Sequence, residues 1–218
     1  MNFINLPEQS AKHLFQTSLI NKLNNINMKV HPDAKALIFD LDGTLSDSME
    51  VHMAAWNKVG NKYGFRFDPQ IYYEMTGSPT IEFARKVIET YNLTADPEDI
   101  VKMKQQSFWD SVKLVKPMKE VISIVKEYHG KLPMSVGTGA SRKSACLQLA
   151  ALEIKDYFDF IVSADDVEKH KPEPDTFLKC AQLMNVAPRF CQVFEDGDLG
   201  IKAAKTAGMI VTDVRPHI

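Results

Sequence analysis

Two carboxylates, Asp40 and Asp42, lie two residues apart directly after the apolar run Ala36–Phe39, and Gly43 follows them. A short apolar run before a glycine predicts a buried parallel strand that ends in a turn. Ligands of open α/β sheets bind at this end of the strands. Because neighbouring acids repel each other, we expect a bound cation or a raised pKa there. The pair suits a magnesium-assisted reaction in which one Asp attacks and the other moves a proton.

A second acidic pair, Glu195 and Asp196, follows the apolar run at residues 192–194 and stands beside a glycine. If the two predicted strands are parallel neighbours, this pair converges with Asp40 and Asp42 at one edge of the sheet. An oxygen-rich cluster of this kind suits a hard cation such as Mg²⁺, which usually shares its ligand shell with a phosphate.

Two further segments suit a phosphate group. Thr138 and Gly139 follow the apolar run Met134–Gly137 and precede a helix start, so a hydroxyl and backbone N–H groups can face an anion. Lys171 lies in a proline-stiffened loop, where it could hold the phosphate and offset the carboxylates. Each feature is weak alone, since such turns, helix caps and solvated lysines are common. Their combination, each at a predicted strand end, favours a catalytic site.

Short apolar runs alternate with helical patterns along most of the chain. This alternation predicts an α/β fold with a Rossmann-like parallel sheet and helices on both faces. We predict strands at Ala36–Phe39, Met134–Gly137, Phe160–Ser163, Gln192–Phe194 and Met209–Val211, and helices at Lys119–His129, Arg142–Leu152, Pro174–Asn185 and Leu199–Ala207.

Residues 49–115 break this alternation because they show helical patterns alone. We therefore expect an all-helical cap domain at residues 49–115, inserted into an α/β core formed by residues 33–48 and 116–218. The chain would leave the core near Asp47 and return near Lys116. The predicted cap helices are Met49–Tyr63, Pro69–Met75, Thr80–Thr90 and Pro97–Lys113.

The N-terminal residues 1–32 are expected to form a helical extension. Five apolar side chains in it recur at helical spacing, while polar residues interrupt any signal-like apolar segment. We expect this extension to dock on the body of the protein or on a partner. The five apolar residues are Ala11, Leu14, Phe15, Leu19 and Leu23.

Composition excludes several classes of function. The chain has 218 residues, of which 44% are hydrophobic, and its 26 basic and 28 acidic residues give a net charge of −2. This balance predicts no binding to nucleic acid or to a membrane surface, and no segment is apolar for long enough to span a bilayer. Cys146, Cys180 and Cys191 lack CxxC spacing, which favours reduced thiols and a cytoplasmic protein. We expect a monomer or a weak dimer.

The ordered motifs resemble those of the haloacid dehalogenase superfamily of phosphotransferases, from about Lys35 to Val214. Residues 40–44 (Asp-Leu-Asp-Gly-Thr) resemble its first motif and Thr138 its second. Lys171 with the following proline resembles the third motif, and the pair Glu195 and Asp196 the fourth. The helical insertion resembles the cap of the β-phosphoglucomutase-like subgroup. Residues 75–80, 136–139, 171–182 and 193–200 are similar to bacterial fructose-1-phosphatase-like sugar phosphatases.

This resemblance implies a role for each motif residue. Asp40 would be the nucleophile, and Asp42, with a pKa that crowding is expected to raise, would be the general acid and base. Mg²⁺ would be held by Asp40, the main-chain carbonyl of Asp42 and Asp196, with Glu195 in support. The phosphate-binding residues would be Thr138, Gly139 and Lys171.

The implied activity is that of a Mg²⁺-dependent phosphatase, which hydrolyses small sugar phosphates such as hexose phosphates through an aspartyl-phosphate intermediate. The alternatives are a β-phosphoglucomutase-type mutase and a catalytically silent binding protein on the same scaffold. In the resembling mutases an arginine follows the cap-loop glycine by three residues. Thr80 holds that position after Gly77, and the loop 76–80 has no positive charge, which favours hydrolysis.

His52 and Trp56 lie four residues apart, hence on one face of a predicted helix. They could face the acidic loop and select the sugar. Alternatively, His52 packs at the hinge and Trp56 in the cap core, which is the favoured interpretation for Trp56. Gly77, Ser78 and Thr80 complete the predicted substrate contacts.

Overall fold

The computed structural model describes residues 28–218, so most of the predicted N-terminal extension, including its helix, lies outside the described part of the chain. Each strand of the sheet follows from a short apolar run that becomes buried between two layers of helices. The strands are β1 (Ala36–Phe39), β2 (Ser46–Asp47), β3 (Lys116–Pro117), β4 (Met134–Gly137), β5 (Phe160–Val162), β6 (Cys191–Glu195) and β7 (Ile210–Asp213).

Five of these strands form one parallel sheet in the order β5-β4-β1-β6-β7. The chain runs outward from β1 to β5 on one side and then returns to build β6 and β7 on the other. The order therefore reverses at β1, and the carboxyl ends of β1 and its neighbours form a topological switch point. The predicted α/β fold class and its five strands are confirmed, with strand boundaries that differ by one or two residues.

The α-helices outside and inside the predicted insertion also match the sequence patterns to within about two residues. They are α1 (Met49–Tyr63), α2 (Pro69–Met75), α3 (Thr80–Tyr91), α4 (Pro97–Ser111), α5 (Lys119–Tyr128), α6 (Arg142–Ala151), α7 (Asp175–Leu183) and α8 (Asp198–Thr206).

Alternate side chains of β1 enter two hydrophobic cores. Leu37 and Phe39 pack with α5 and α6 on one face of the sheet. Ala36 and Ile38 pack with α7 and α8 on the other face. Because every β1 side chain is buried, β1 is fixed on both faces, and the residue that follows it is held by the whole sheet.

Helices α1–α4, which we call the helical block, have a core of their own. It is built around Trp56, Phe67, Phe83 and Ile100. The short strands β2 and β3 pair antiparallel at the two points where the chain enters and leaves the block. The division of the chain into domains stays a prediction, which the separate core and this paired connection support.

Two further properties concern membrane-spanning helices and the state of the cysteines. Within residues 28–218, no helix combines the length and the apolar character that crossing a bilayer requires. All three cysteines lie in the described part of the chain, and each carries a free thiol.

Leu37→Ala should destabilise the protein by about 2–5 kcal/mol, because it opens a cavity in the fully buried centre of β1. Urea unfolding would measure the difference. The matched control is Leu114→Ala, where the side chain is 69% exposed and the expected change is within about 0.5 kcal/mol. Equal effects of the two substitutions would contradict the assignment of β1 to the core.

Candidate active site

Three strands of the parallel sheet end at the same edge and bring predicted site residues together. Asp40 follows β1, Thr138 follows β4, and Glu195 ends β6. They are neighbours because β1 lies between β4 and β6. The cavity at this edge is shared between the sheet and the helical block. Of the predicted site residues, its lining includes Asp40, Asp42, His52, Trp56, Gly77, Ser78, Thr80, Thr138 and Gly139.

A buried lysine joins the carboxylates of two strands. The ammonium nitrogen of Lys171 lies 2.6 Å from Oδ1 of Asp40 and 2.6 Å from Oε2 of Glu195. Burial alone would lower the pKa of Lys171, but the charges of Asp40 and Glu195 outweigh burial and raise it. Lys171 is therefore a permanent cation beside Asp40, where an approaching phosphate would meet it.

Three carboxylates at this edge form a cluster that suits a divalent cation. Asp40, Glu195 and Asp196 each offer an oxygen, and these oxygens lie within 4.8 Å of one another. Burial, followed by the charge of Glu195, raises the pKa of Asp40 well above its usual range and that of Asp196 to about 7. Fully ionised, the three carboxylates would carry more negative charge than Lys171 offsets, and hard oxygen ligands of this kind fit Mg²⁺.

The oxygens of Glu195 already have partners, unlike those of an open metal ligand. Oε1 accepts hydrogen bonds from the backbone N–H groups of Asp196, at 3.1 Å, and Gly197, at 2.8 Å, while Oε2 accepts from Lys171. Asp196 accepts one side-chain hydrogen bond, of 2.8 Å, from Thr44. This arrangement agrees with a supporting role for Glu195 and a direct role for Asp196, although both roles stay predictions.

Asp42 lies in a different environment from Asp40. Its Oδ1 accepts hydrogen bonds from Ser48 at 2.5 Å, His52 at 2.9 Å and Gln148 at 3.0 Å. Burial would raise the pKa of Asp42, but the interaction with His52 and the three hydrogen bonds outweigh burial and lower it. The expectation that crowding raises the pKa of Asp42 is therefore wrong, since the raised pKa belongs to Asp40 instead.

His52 contacts Asp42, and Lys104 contacts His52 from the opposite side of the ring. Nε2 of His52 lies 2.9 Å from Oδ1 of Asp42, and Nζ of Lys104 lies 2.8 Å from Nδ1 of His52. Burial, followed by the charge of Lys104, lowers the pKa of His52. A neutral imidazole that accepts from Lys104 and donates to Asp42 satisfies both contacts. His52 thus faces the acidic loop, and its role in substrate selection stays a prediction.

Lys104 is a site residue that the sequence predictions missed. It also lines the cavity, and burial lowers its pKa to about 8. A signal was available in the sequence, because Ile100, Lys104 and Phe108 follow one another at intervals of four on α4 and are all buried. A lone lysine in such a buried stripe indicates a paired or functional cation.

The loop before α3 lies against the segment that follows β4. A Cβ atom at Gly139 would overlap the carbonyl oxygen of Gly77, so only glycine permits this approach.

Trp56 stacks on Phe67 with 5.3 Å between ring centroids, as expected for a core residue, and also lines the cavity. Thr138 is buried, and its Oγ1 accepts a hydrogen bond of 3.0 Å from the Ala140 N–H.

Known proteins are similar to this chain in sequence and in fold. The sequence pattern of the family described as "Haloacid dehalogenase-like hydrolase" matches residues 37–214. The chain is 44% identical over 180 residues to fructose-1-phosphate phosphatase YqaB of Escherichia coli strain K12. The matched region covers 82% of this chain and 95% of that protein. It is 30% identical over 179 residues to the phosphorylated carbohydrates phosphatase of Thermotoga maritima, with coverage of 80% and 82%.

A solved structure agrees with the sequence relatives. The crystal structure of β-phosphoglucomutase from Clostridium difficile has a TM-score of 0.74 and 27% identity, over 83% of this chain and 84% of that chain.

Lys104→Met should stabilise the protein near pH 7. Burial lowers the pKa of Lys104 from 10.5 to about 8, so below pH 8 the folded chain carries a buried charge at a cost to stability. Between pH 8 and 10.5 the unfolded chain binds more protons than the folded chain, and the cost disappears as the pH rises. We expect the variant to be about 1–3 kcal/mol more stable than the wild type at pH 7, and equal to it above pH 10.5, in urea unfolding.

The same substitution should lower the turnover of phosphate esters by roughly 10-fold or more, because His52 loses the partner that fixes its ring toward Asp42. Lys102→Met is the matched control, since that side chain is 74% exposed on the same helix. A variant less stable than the wild type at pH 7, or a stability difference that does not change with pH, would contradict this description of Lys104.

Proposed function

Because the chain belongs to the haloacid dehalogenase-like hydrolase family, we propose that it is a phosphatase that hydrolyses small sugar phosphates through an aspartyl-phosphate intermediate. The observation that carries this proposal is the position of Asp40, a carboxylate at a sheet edge with Lys171 at 2.6 Å and an acidic cluster beside it. The identity of 44% to a protein named fructose-1-phosphate phosphatase supports hexose phosphates as the substrates.

Asp40 and Asp42 divide the reaction between them. An oxygen of Asp40 bonds to phosphorus while the bond from phosphorus to the sugar oxygen breaks, and Asp42 gives that oxygen its proton. In the second half, Asp42 removes a proton from a water whose oxygen attacks phosphorus, and the bond to Asp40 breaks. The products are the free sugar, inorganic phosphate and the original two side chains.

The protonation of Asp42 follows from its environment. Three hydrogen bonds favour its ionised form before substrate binds. A dianionic phosphate ester brings negative charge close to Asp42 and favours the protonated form that the first step requires. The ionised form that results is the base for the second step.

The acidic cluster would hold the metal ion. We propose that Mg²⁺ binds Asp40, the main-chain carbonyl of Asp42 and Asp196, with Glu195 in support. The ion would supply positive charge to the phosphoryl oxygens. Lys171, beside Glu195, would also supply positive charge to the phosphoryl oxygens. We propose that Thr138 and Gly139 donate hydrogen bonds to the phosphate.

The helical block would select the sugar. His52, Trp56, Ser78 and Thr80 line the cavity above the acidic loop, and the loop 76–80 carries no charge. A mutase is the second candidate, since a solved relative is named β-phosphoglucomutase. A mutase must bind a second phosphate. Lys104 is the cation that the helical block contributes to the described lining of the cavity, and it already contacts His52. This favours hydrolysis.

Other features of the proposed enzyme rest on composition. The net charge of −2 supports an enzyme that does not bind nucleic acid. The free thiols support a cytoplasmic location. We propose that it acts as a monomer or a weak dimer.

Asp40→Asn should reduce phosphate release from hexose phosphates by at least ~10³-fold, because the amide cannot form the acyl phosphate. Chelation of Mg²⁺ should abolish release by the wild type, and added Mg²⁺ should restore it. Asp110→Asn, at an exposed carboxylate of α4, is the control and should leave turnover unchanged.

A panel of sugar phosphates, assayed for inorganic phosphate, would measure these effects. Unchanged turnover by Asp40→Asn, or full turnover without a divalent ion, would contradict the mechanism. Interconversion of glucose 1- and 6-phosphates in place of phosphate release would establish the mutase. No reaction with any phosphate ester would favour the silent binding protein.

A further inference from the structure

Gln148 is a fully buried glutamine that reaches the acidic loop from the sheet side. Its Nε2 donates a hydrogen bond of 3.0 Å to Oδ1 of Asp42, a residue 106 positions earlier in the chain. Gln148 lies on α6, and its helix neighbours Ala145 and Leu149 are packed in the core beneath the sheet. The backbone that carries the amide is therefore held by the core itself.

The other end of the Gln148 amide has no comparable partner. Within residues 28–218, its buried Oε1 accepts no hydrogen bond. A buried polar atom without a partner costs stability, so an apolar residue would serve the core at this position better. Buried groups of this kind in native proteins call for a functional explanation, and the contact with Asp42 supplies one.

The three donors to Asp42 come from two different parts of the fold. Ser48 and His52 lie at the start of α1, at the entrance to the helical block, whereas Gln148 belongs to a helix of the sheet layer. All three donate to Oδ1. Among the described residues, no hydrogen bond reaches Oδ2. One oxygen of Asp42 is thus fixed, and the other is left for proton exchange.

We propose that Gln148 is a positioning residue of the reaction, which fixes Oδ1 of Asp42 from the sheet side so that Oδ2 faces the leaving oxygen and the attacking water. This inference rests on the proposed function. Gln148 supports Asp42 whether or not the helical block is closed, because its own anchoring lies in the sheet layer. Ser48 and His52 add their hydrogen bonds from the block side.

The leaving group provides a way to isolate this role. A sugar oxygen needs a proton from Asp42 when its bond to phosphorus breaks, whereas p-nitrophenolate is a stable anion and leaves without one. Misplacement of Asp42 should therefore slow the first step for a sugar phosphate and spare it for p-nitrophenyl phosphate. A general loss of structure would slow both.

The experiment compares Gln148→Met, which keeps the size of the side chain and removes the amide, with the wild type in rapid-mixing assays. We expect single-turnover release of the sugar from a hexose phosphate to slow by about 10–100-fold, with KM within about two-fold. The burst of p-nitrophenolate should stay within about three-fold of the wild type. Gln192→Met, at a buried glutamine bonded to Thr212 and the Lys29 carbonyl, is the matched control and should leave both rates unchanged.

The outcomes separate the inference from the proposed function. Equal slowing of both substrates, or no slowing of either, overturns the positioning role while the phosphatase stands. Failure of the wild type to release product from any phosphate ester overturns the proposed function first. If Gln148→Met fails to fold, judged by near-ultraviolet circular dichroism, Gln148→Leu removes the donor with another apolar side chain of similar size and must give the same split between the two substrates.

Discussion

The site depends on a buried ammonium group that two carboxylates share. Lys171 bonds Asp40 and Glu195 at the ends of adjacent strands, and both acids would be costly to bury without it. One ammonium group does not balance two ionised carboxylates, and Asp196 adds a third carboxyl group to the same cluster. Burial and mutual repulsion therefore raise the pKa values of Asp40 and Asp196, and a further cation at this edge of the sheet would relieve the repulsion. The ion pair and the proposed metal site thus have one electrostatic cause.

The two aspartates of the first motif are separated by environment although only one residue lies between them. Asp40 has acidic neighbours beside its partner Lys171. The described hydrogen bonds of the Asp42 side chain all come from donors, on Ser48, His52 and Gln148. Their pKa values move in opposite directions for this reason. Under the proposed function, Lys171 offsets the charge of the nucleophile Asp40, and Asp42 stays ionised until the negative charge of the substrate favours its protonated form.

Much of the site followed from the sequence because parallel strands bring their carboxyl ends to one edge. Asp40, Thr138 and Asp196 could therefore be placed together from three apolar runs. The pKa of Asp42 could not be predicted, since it depends on contacts with residues 10 and 106 positions away. Lys104 and Gln148 sit in buried helical stripes, where their polar character was the available signal. Strands β2 and β3 have two residues each, which is too short for any periodicity to show.

The helical block contacts the acidic loop through His52. His52 carries the influence of Lys104 from α4 to Asp42, so a buried charge in the block helps to set the state of an acid in the sheet layer. That charge costs stability, since burial lowers the pKa of Lys104 to about 8. The position of the block and the ionisation of Asp42 are therefore linked. Withdrawal of His52 would raise the proton affinity of Asp42, because the contact with His52 is among the causes that lower the pKa of Asp42.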